Sequence, residues 1–119
     1  AGRAHRVPLS EAAQEVLKRA KEIAQSKWVF PGVRSGQPMT DMALTMLLRR
    51  MRPGYTVHGF RSSFRDWAAE QTEYPSEMAE MALAHAVSSK VEAAYRRGDM
   101  LERRRQMMQD WAAWCTPKK

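Results

Sequence analysis

The sequence predicts a mainly α fold, a bundle of helices with a short residual β element near the N-terminus. Three observations carry this. Apolar residues recur at three- and four-residue spacing in one stretch after another; strand-like alternation is confined to a few residues near the start; and Ser, Thr, Asp or Pro stands before several of the periodic runs. At 119 residues the chain, 1–119, is expected to form one domain or a portion of one.

Taken in order, "HRVPLS" alternates weakly and ends at Pro8 and Ser10, so Arg6 and Val7 are expected as an edge strand. Ser10 is placed to cap a helix running to about Gln25, with Ala13, Val16, Leu17, Ala20, Ile23 and Ala24 on one face. "KWVFPG" reads as extended and "GVRSGQPM" as a loop. Thr40 or Asp41 then opens a second helix through Met42, Leu44, Leu47, Leu48 and Met51. After "RPGY", the stretch "TVHGFRSSFRDWAAEQT" places Phe60, Phe64, Trp67 and Ala68 at the spacing of a core-facing stripe. Pro75 and "SEMAEMALAH" give a fourth helix, with Met78, Met81 and Ala82 inward and its end near His85.

Ser89 with Glu92 forms a capping box for "KVEAAYRR", which Gly98 stops, and Asp99 with Glu102 repeats the device. The last helix shows Leu101, Met108, Trp111, Ala112 and Cys115 on one side. Arg103, Arg104 and Arg105, near its start, are expected on a solvated or backbone-contacting face. The nine methionines are expected to fill gaps at inner positions, and the single Cys115 to act as a small core residue.

Composition fits either a polyanionic partner or a solvated basic face. Twenty Lys and Arg against thirteen Asp and Glu leave a net charge of +7, and fourteen of the twenty are arginine. The guanidinium fork matches phosphate oxygens in pairs, which a lysine does not. The sequence has no apolar run near the ~20 residues of a membrane helix and no signal-peptide pattern, so a soluble, intracellular protein is expected. Walker and dinucleotide glycine motifs, the zinc-protease helix and paired-cysteine spacings are all missing, so neither cofactor nor metal is implied.

What remains is an ordered set of polar residues at predicted helix ends: His58, Arg61, His85 and Tyr95. On a helix, His58, Arg61 and Arg65 fall within roughly 60° of one another and away from the aromatic stripe. Free backbone N–H groups at the helix start favour an anion beside them. Taken singly, each residue has a plainer reading: a packed aromatic for Tyr95, a helix-end histidine for His85, a solvated arginine for Arg61.

Taken together, "HGFR", "LAH" and, ten residues after that histidine, the tyrosine of "AAYRR" resemble the C-terminal catalytic part of the tyrosine recombinases. "HRVPLS", "VFPG" and "VHGFRSSFRDWAAE" are similar to prophage and satellite-phage integrases in particular. The resemblance covers nearly the whole chain and implies a helical catalytic-core bundle acting on double-stranded DNA together with other integrase protomers, in the bacterial cytoplasm. It implies Tyr95 as nucleophile, Arg61 as the second catalytic arginine, His58 as the histidine of the box, and His85 at a position that is His or Trp in relatives. Arg65 and Arg96 are expected to contact DNA.

The family also carries a first catalytic arginine well upstream, a lysine on a hairpin before the "HRVPLS" segment, and separate DNA-binding domains. None of these is in this sequence, so the segment alone is expected to be weakly active or inactive. Because relatives exchange C-terminal segments between protomers, the last helix can dock in cis or in trans, with cis expected of an isolated monomer. The other reading open at this point is a non-catalytic helical DNA-binding or protein-interaction module in which Tyr95 is structural.

Overall fold

The computed structural model describes residues 4–85 and 100–117. It contains α1 (Glu11–Glu22), α2 (Asp41–Met51), α3 (Gly59–Gln71), α4 (Ser76–Ala82) and α5 (Leu101–Cys115), with no sheet among the described residues. The mainly α expectation holds. The capping box at Ser89 and Glu92, the helix "KVEAAYRR" and Asp99 lie outside the described residues.

The chain divides into two compact units, Ala13–Ser62 and a second made of Ala1–Ala12 with Ser63–Lys119. In the first, Thr40 precedes α2 in extended geometry, as the sequence predicts, and α2 closes where the Arg52 amide donates to the Leu48 carbonyl at 2.8 Å. The "VFPG" and "QPM" segments meet in an isolated antiparallel bridge between Pro31 and Pro38. There the Gly32 amide donates to the Gln37 carbonyl at 2.8 Å, and the Met39 amide to the Phe30 carbonyl at 2.9 Å. A Cβ at position 32 would lie 2.4 Å from the Pro38 carbonyl oxygen, so only glycine fits this approach. No residue of this unit is buried. The methionines Met42, Met46 and Met51 of α2, expected to face inward, are exposed, as are Val16 and Ile23.

The second unit holds a core. Phe64, Trp67 and Ala68 of α3 pack with Met78 and Ala79 of α4 and Met107 of α5, all buried, and Trp111 closes the cluster from α5. The three rings make a triangle: Phe64 to Trp111 is edge-on at 5.3 Å, Trp67 to Trp111 lies at 5.2 Å, and Phe64 to Trp67 at 5.6 Å. Offset and edge-on aromatic pairs are worth about 0.5–1.5 kcal/mol each beyond the area they bury. Thus α5 packs on its own chain.

Four expectations are corrected here. Phe60 is exposed rather than part of the core, because it sits in the first turn of α3, before the stretch that α4 and α5 cover. Cys115 is exposed, at the end of α5. Arg104, read as part of a solvated or backbone-contacting face, is only 1% exposed. Its Nη2 donates to the Arg6 carbonyl at 2.7 Å, so a backbone contact does exist, but within the core. The inward face of α5 therefore runs Arg104, Met107, Met108, Trp111, rotated from the stripe that hydrophobicity alone suggests.

The fourth concerns Arg6 and Val7, which form no strand. The lead-in instead lies on α4 and α5 through the Arg104 bond, a His5 Nε2 bond to the Ala82 carbonyl at 3.3 Å, and the Glu11 amide donating to Gln109 Oε1 at 2.7 Å. A carbonyl spent on a guanidinium is satisfied without a neighbouring strand. Among the described residues no helix is long and apolar enough to cross a membrane.

Candidate functional site

The head of α3 is built by a local signal. Thr56 Oγ1 accepts a hydrogen bond from the Gly59 amide at 2.9 Å, three residues on, which is the geometry of an N-cap. A Cβ on residue 59 would come within 2.9 Å of that oxygen, which accounts for glycine in the "HGFR" box. The turn continues with the Phe60 amide on the Val57 carbonyl and the Arg61 amide on the His58 carbonyl at 3.0 Å. His58 therefore stands immediately before the helix and Arg61 in its first turn, beside the positive end of the helix dipole. Arg65 follows Arg61 by one turn of the same helix.

A second group lies in the unit that carries the core. Arg65 Nη2 meets Glu80 Oε1 at 2.6 Å, and the other carboxylate oxygen, Oε2, bonds His85 Nδ1. A carboxylate only accepts, so Nδ1 carries the proton. The His85 hydrogen bond, first, and the Arg65 charge hold the Glu80 carboxyl below the usual carboxylate range, against a partial burial that pushes it up.

Backbone geometry places the histidine. Ala84 adopts a left-handed conformation at φ 60°, the Ala84 amide donates to the Met81 carbonyl at 3.0 Å, and the His85 amide to the Glu80 carbonyl at 2.9 Å. These are the paired bonds of a Schellman ending, so "LAH" is a helix stop that delivers His85 to a fixed point beyond α4.

Of the residues singled out from sequence, the structure brings Arg65 and His85 onto one carboxylate and sets His58 and Arg61 at the head of α3. Tyr95 and Arg96 lie outside the described residues. Sequence reasoning missed Glu80, which lies five residues before His85 and meets it only because the chain turns back at Ala84. It also missed Tyr74. The Tyr74 hydroxyl donates to Asp110 Oδ2, and its pKa is pushed up to about 12, by burial first and then by the Asp110 hydrogen bond and charge, with Arg103 opposing. A groove of about 920 Å³ beside this pair is lined by Trp67, Tyr74, Arg103, Asp110 and Trp114 among others.

Comparison with known proteins gives a consistent answer. The chain is 37% identical to the prophage integrase IntA of Escherichia coli (strain K12) over 92% of its own length. It is 33% identical over 96% of its length to the prophage integrase IntS of the same strain, and equally to the integrase of Shigella phage Sf6. It spans 27% of the first of these relatives and 31% of the other two. No family model and no solved structure matches it. Four phage or prophage integrases are thus similar to the chain along nearly all of its length, which corresponds to about three tenths of each.

Proposed function

We propose that the chain is the C-terminal catalytic portion of an integrase that cuts and rejoins double-stranded DNA at attachment sites through Tyr95. The observation that carries this reading is the likeness to integrases along 92–96% of the chain, combined with His58, Arg61, His85 and Tyr95 standing in the order of the recombinase motifs.

In the proposed reaction the Tyr95 hydroxyl oxygen attacks the scissile phosphorus and loses its proton to a base. The bond to the 5′ oxygen breaks, that oxygen leaves protonated, and a 3′-phosphotyrosyl link remains. The phosphodiester energy is retained in that link, so attack by the 5′-hydroxyl of another strand restores DNA and returns the tyrosine. An ordinary tyrosine with a pKa near ~10 is a poor nucleophile at neutral pH. Proton removal and charge neutralisation by His58 and Arg61 supply the missing drive, because negative charge spreads over the non-bridging oxygens as attack proceeds and a guanidinium fork holds two of them. His85 hydrogen-bonds a phosphate oxygen, and Arg65 and Arg96 contact the DNA backbone. Other protomers of the same integrase complete the assembly on DNA.

The test uses the full-length parent with a nicked suicide substrate made from the end of its own element. A covalent protein–DNA adduct that survives denaturation and is lost in Tyr95→Phe is the expected result. An adduct that persists in Tyr95→Phe moves the nucleophile elsewhere. A folded, DNA-bound parent that forms no adduct leaves a binding module in which Tyr95 is structural.

A further inference from the structure

Glu80 is tied to His85 at two points. The His85 amide is bonded to the Glu80 carbonyl, and the His85 ring to the Glu80 carboxylate. The second oxygen of that carboxylate is held by Arg65 from α3. An imidazole turns about two side-chain bonds, so anchoring both its backbone and Nδ1 settles where Nε2 points. Arg65 in turn stops the carboxylate from rotating away. We propose that Glu80 is a positioning residue for DNA cleavage: its carboxylate orients His85 through Nδ1 and thereby sets the direction in which Nε2 meets the scissile phosphate. This rests on the integrase reading.

The chemistry follows from the proton count on the ring. With Nδ1–H given to the carboxylate, a neutral imidazole presents only a lone pair at Nε2, which opposes a phosphate oxygen. The doubly protonated ring donates from both nitrogens. Of the charged groups that the described residues place here, Glu80 touches the ring directly and Arg65 reaches it through the second carboxylate oxygen. The relationship matches that of outer partners which fix the tautomer and orientation of working histidines, whose loss costs about 10- to 100-fold.

Two substitutions separate orientation from charge. In Glu80→Gln the side-chain oxygen still accepts from Nδ1 but the charge is gone, whereas Glu80→Ala removes both. The rate of adduct formation on the suicide substrate is measured in the full-length parent across pH, beside wild type and Tyr95→Phe, with DNA affinity followed by fluorescence anisotropy.

The expected result is a loss of about 10-fold or more for Glu80→Gln and a larger loss for Glu80→Ala, at nearly unchanged affinity for DNA. The ¹⁵N shifts of the His85 ring keep a hydrogen-bonded Nδ1 in Glu80→Gln and lose it in Glu80→Ala, a change that a packing defect elsewhere would not cause. If both variants match wild type in rate and profile while Tyr95→Phe is inactive, the role of Glu80 is overturned and the integrase reading stands. If DNA-bound wild type forms no adduct, the integrase reading fails and takes this role with it. Should both variants unfold, the ¹⁵N shifts of the His85 ring in the wild-type parent decide: a protonated, hydrogen-bonded Nδ1 supports the assignment, and an unprotonated Nδ1 overturns it.

Discussion

In the unit that carries α4 and α5, Phe64, Trp67, Met78 and Met107 are buried around a triangle of rings, whereas across residues 13–62 no side chain is buried. Both regions read from sequence as amphipathic helices. The difference lies in what each apolar face meets. In the first, a stripe containing two aromatic side chains faces another from a helix of 15 residues, and volume on both sides closes the interior. In the second, α1 and α2 have apolar faces of small and aliphatic residues, and Leu44, Met46, Leu47 and Ile23 remain exposed. Periodicity thus specifies a face, but only a facing partner of sufficient volume makes a core, which is where most helical stability arises.

The contrast is open to direct attack. Trp67→Ala removes one ring of the triangle and should cost about 3–5 kcal/mol, as large aromatic truncations in cores do. Leu47→Ala on α2, at a position 43% exposed, should cost no more than about 0.5 kcal/mol beyond its small change in helix propensity. Denaturant unfolding of the 119-residue chain, followed by tryptophan fluorescence and by circular dichroism, reads both. Equal costs would mean that residues 13–62 acquire an interior in solution and would break the comparison. The same contrast predicts faster amide exchange in α2 than in α3.

How legible these features were in the sequence follows the same line between local and distant causes. His58 and Arg61 at a helix head were readable because every cause lies within a few residues, although the Thr56 cap on Gly59 that fixes this head was not singled out. The core positions Phe64, Trp67, Ala68 and Met78 were readable from spacing. Arg104 was not, because a charged residue argues for the surface until its long stem and a backbone carbonyl from Arg6, far away in sequence, are seen together. Glu80 escaped because a contact with His85 needs the left-handed turn at Ala84, where the expected signal is glycine. Arg65, grouped with the DNA-facing arginines by helical angle, is engaged by Glu80, a partner from another helix that no single-helix argument could supply.

Polar contacts also sharpen the account of the core-bearing unit, because the hydroxyl of Tyr74 is held by Asp110 at its edge. Its folded-state pKa, about 12, lies above the ordinary 10.0. By linkage, the stabilisation is fully present below pH 10 and is lost as pH rises toward 12, since the unfolded chain releases this proton first. Tyr74→Phe is expected to cost about 1–2 kcal/mol at neutral pH, the range of a hydrogen bond to a charged group on a partly buried side chain. The deficit should shrink once the pH passes 10. Ultraviolet titration at alkaline pH checks the assignment: one of the three tyrosines should ionise near pH 12, and that late component should vanish in Tyr74→Phe. A late component surviving the substitution would detach the shift from this contact.

The smallest effect isolates backbone geometry from packing. Ala84 is left-handed, which costs an L-residue about 1–2 kcal/mol, while glycine adopts that conformation without the clash at an entropic cost of about 0.5–1 kcal/mol. Ala84→Gly should therefore stabilise the chain by roughly 0.5–1 kcal/mol, a net gain confined to the end of α4. Since the bonds from the Ala84 and His85 amides are kept, the ring of His85 should stay on Glu80, and its NMR signals should move little. Ala84→Val provides the opposite arm, because a β-branched residue tolerates positive φ least and should both destabilise the chain and shift those signals. If glycine and valine act alike, the turn is not left-handed in solution. His85 would then be held by the Glu80 carboxylate alone, and the two-point anchor that separates it from an ordinary helix-end histidine would be lost.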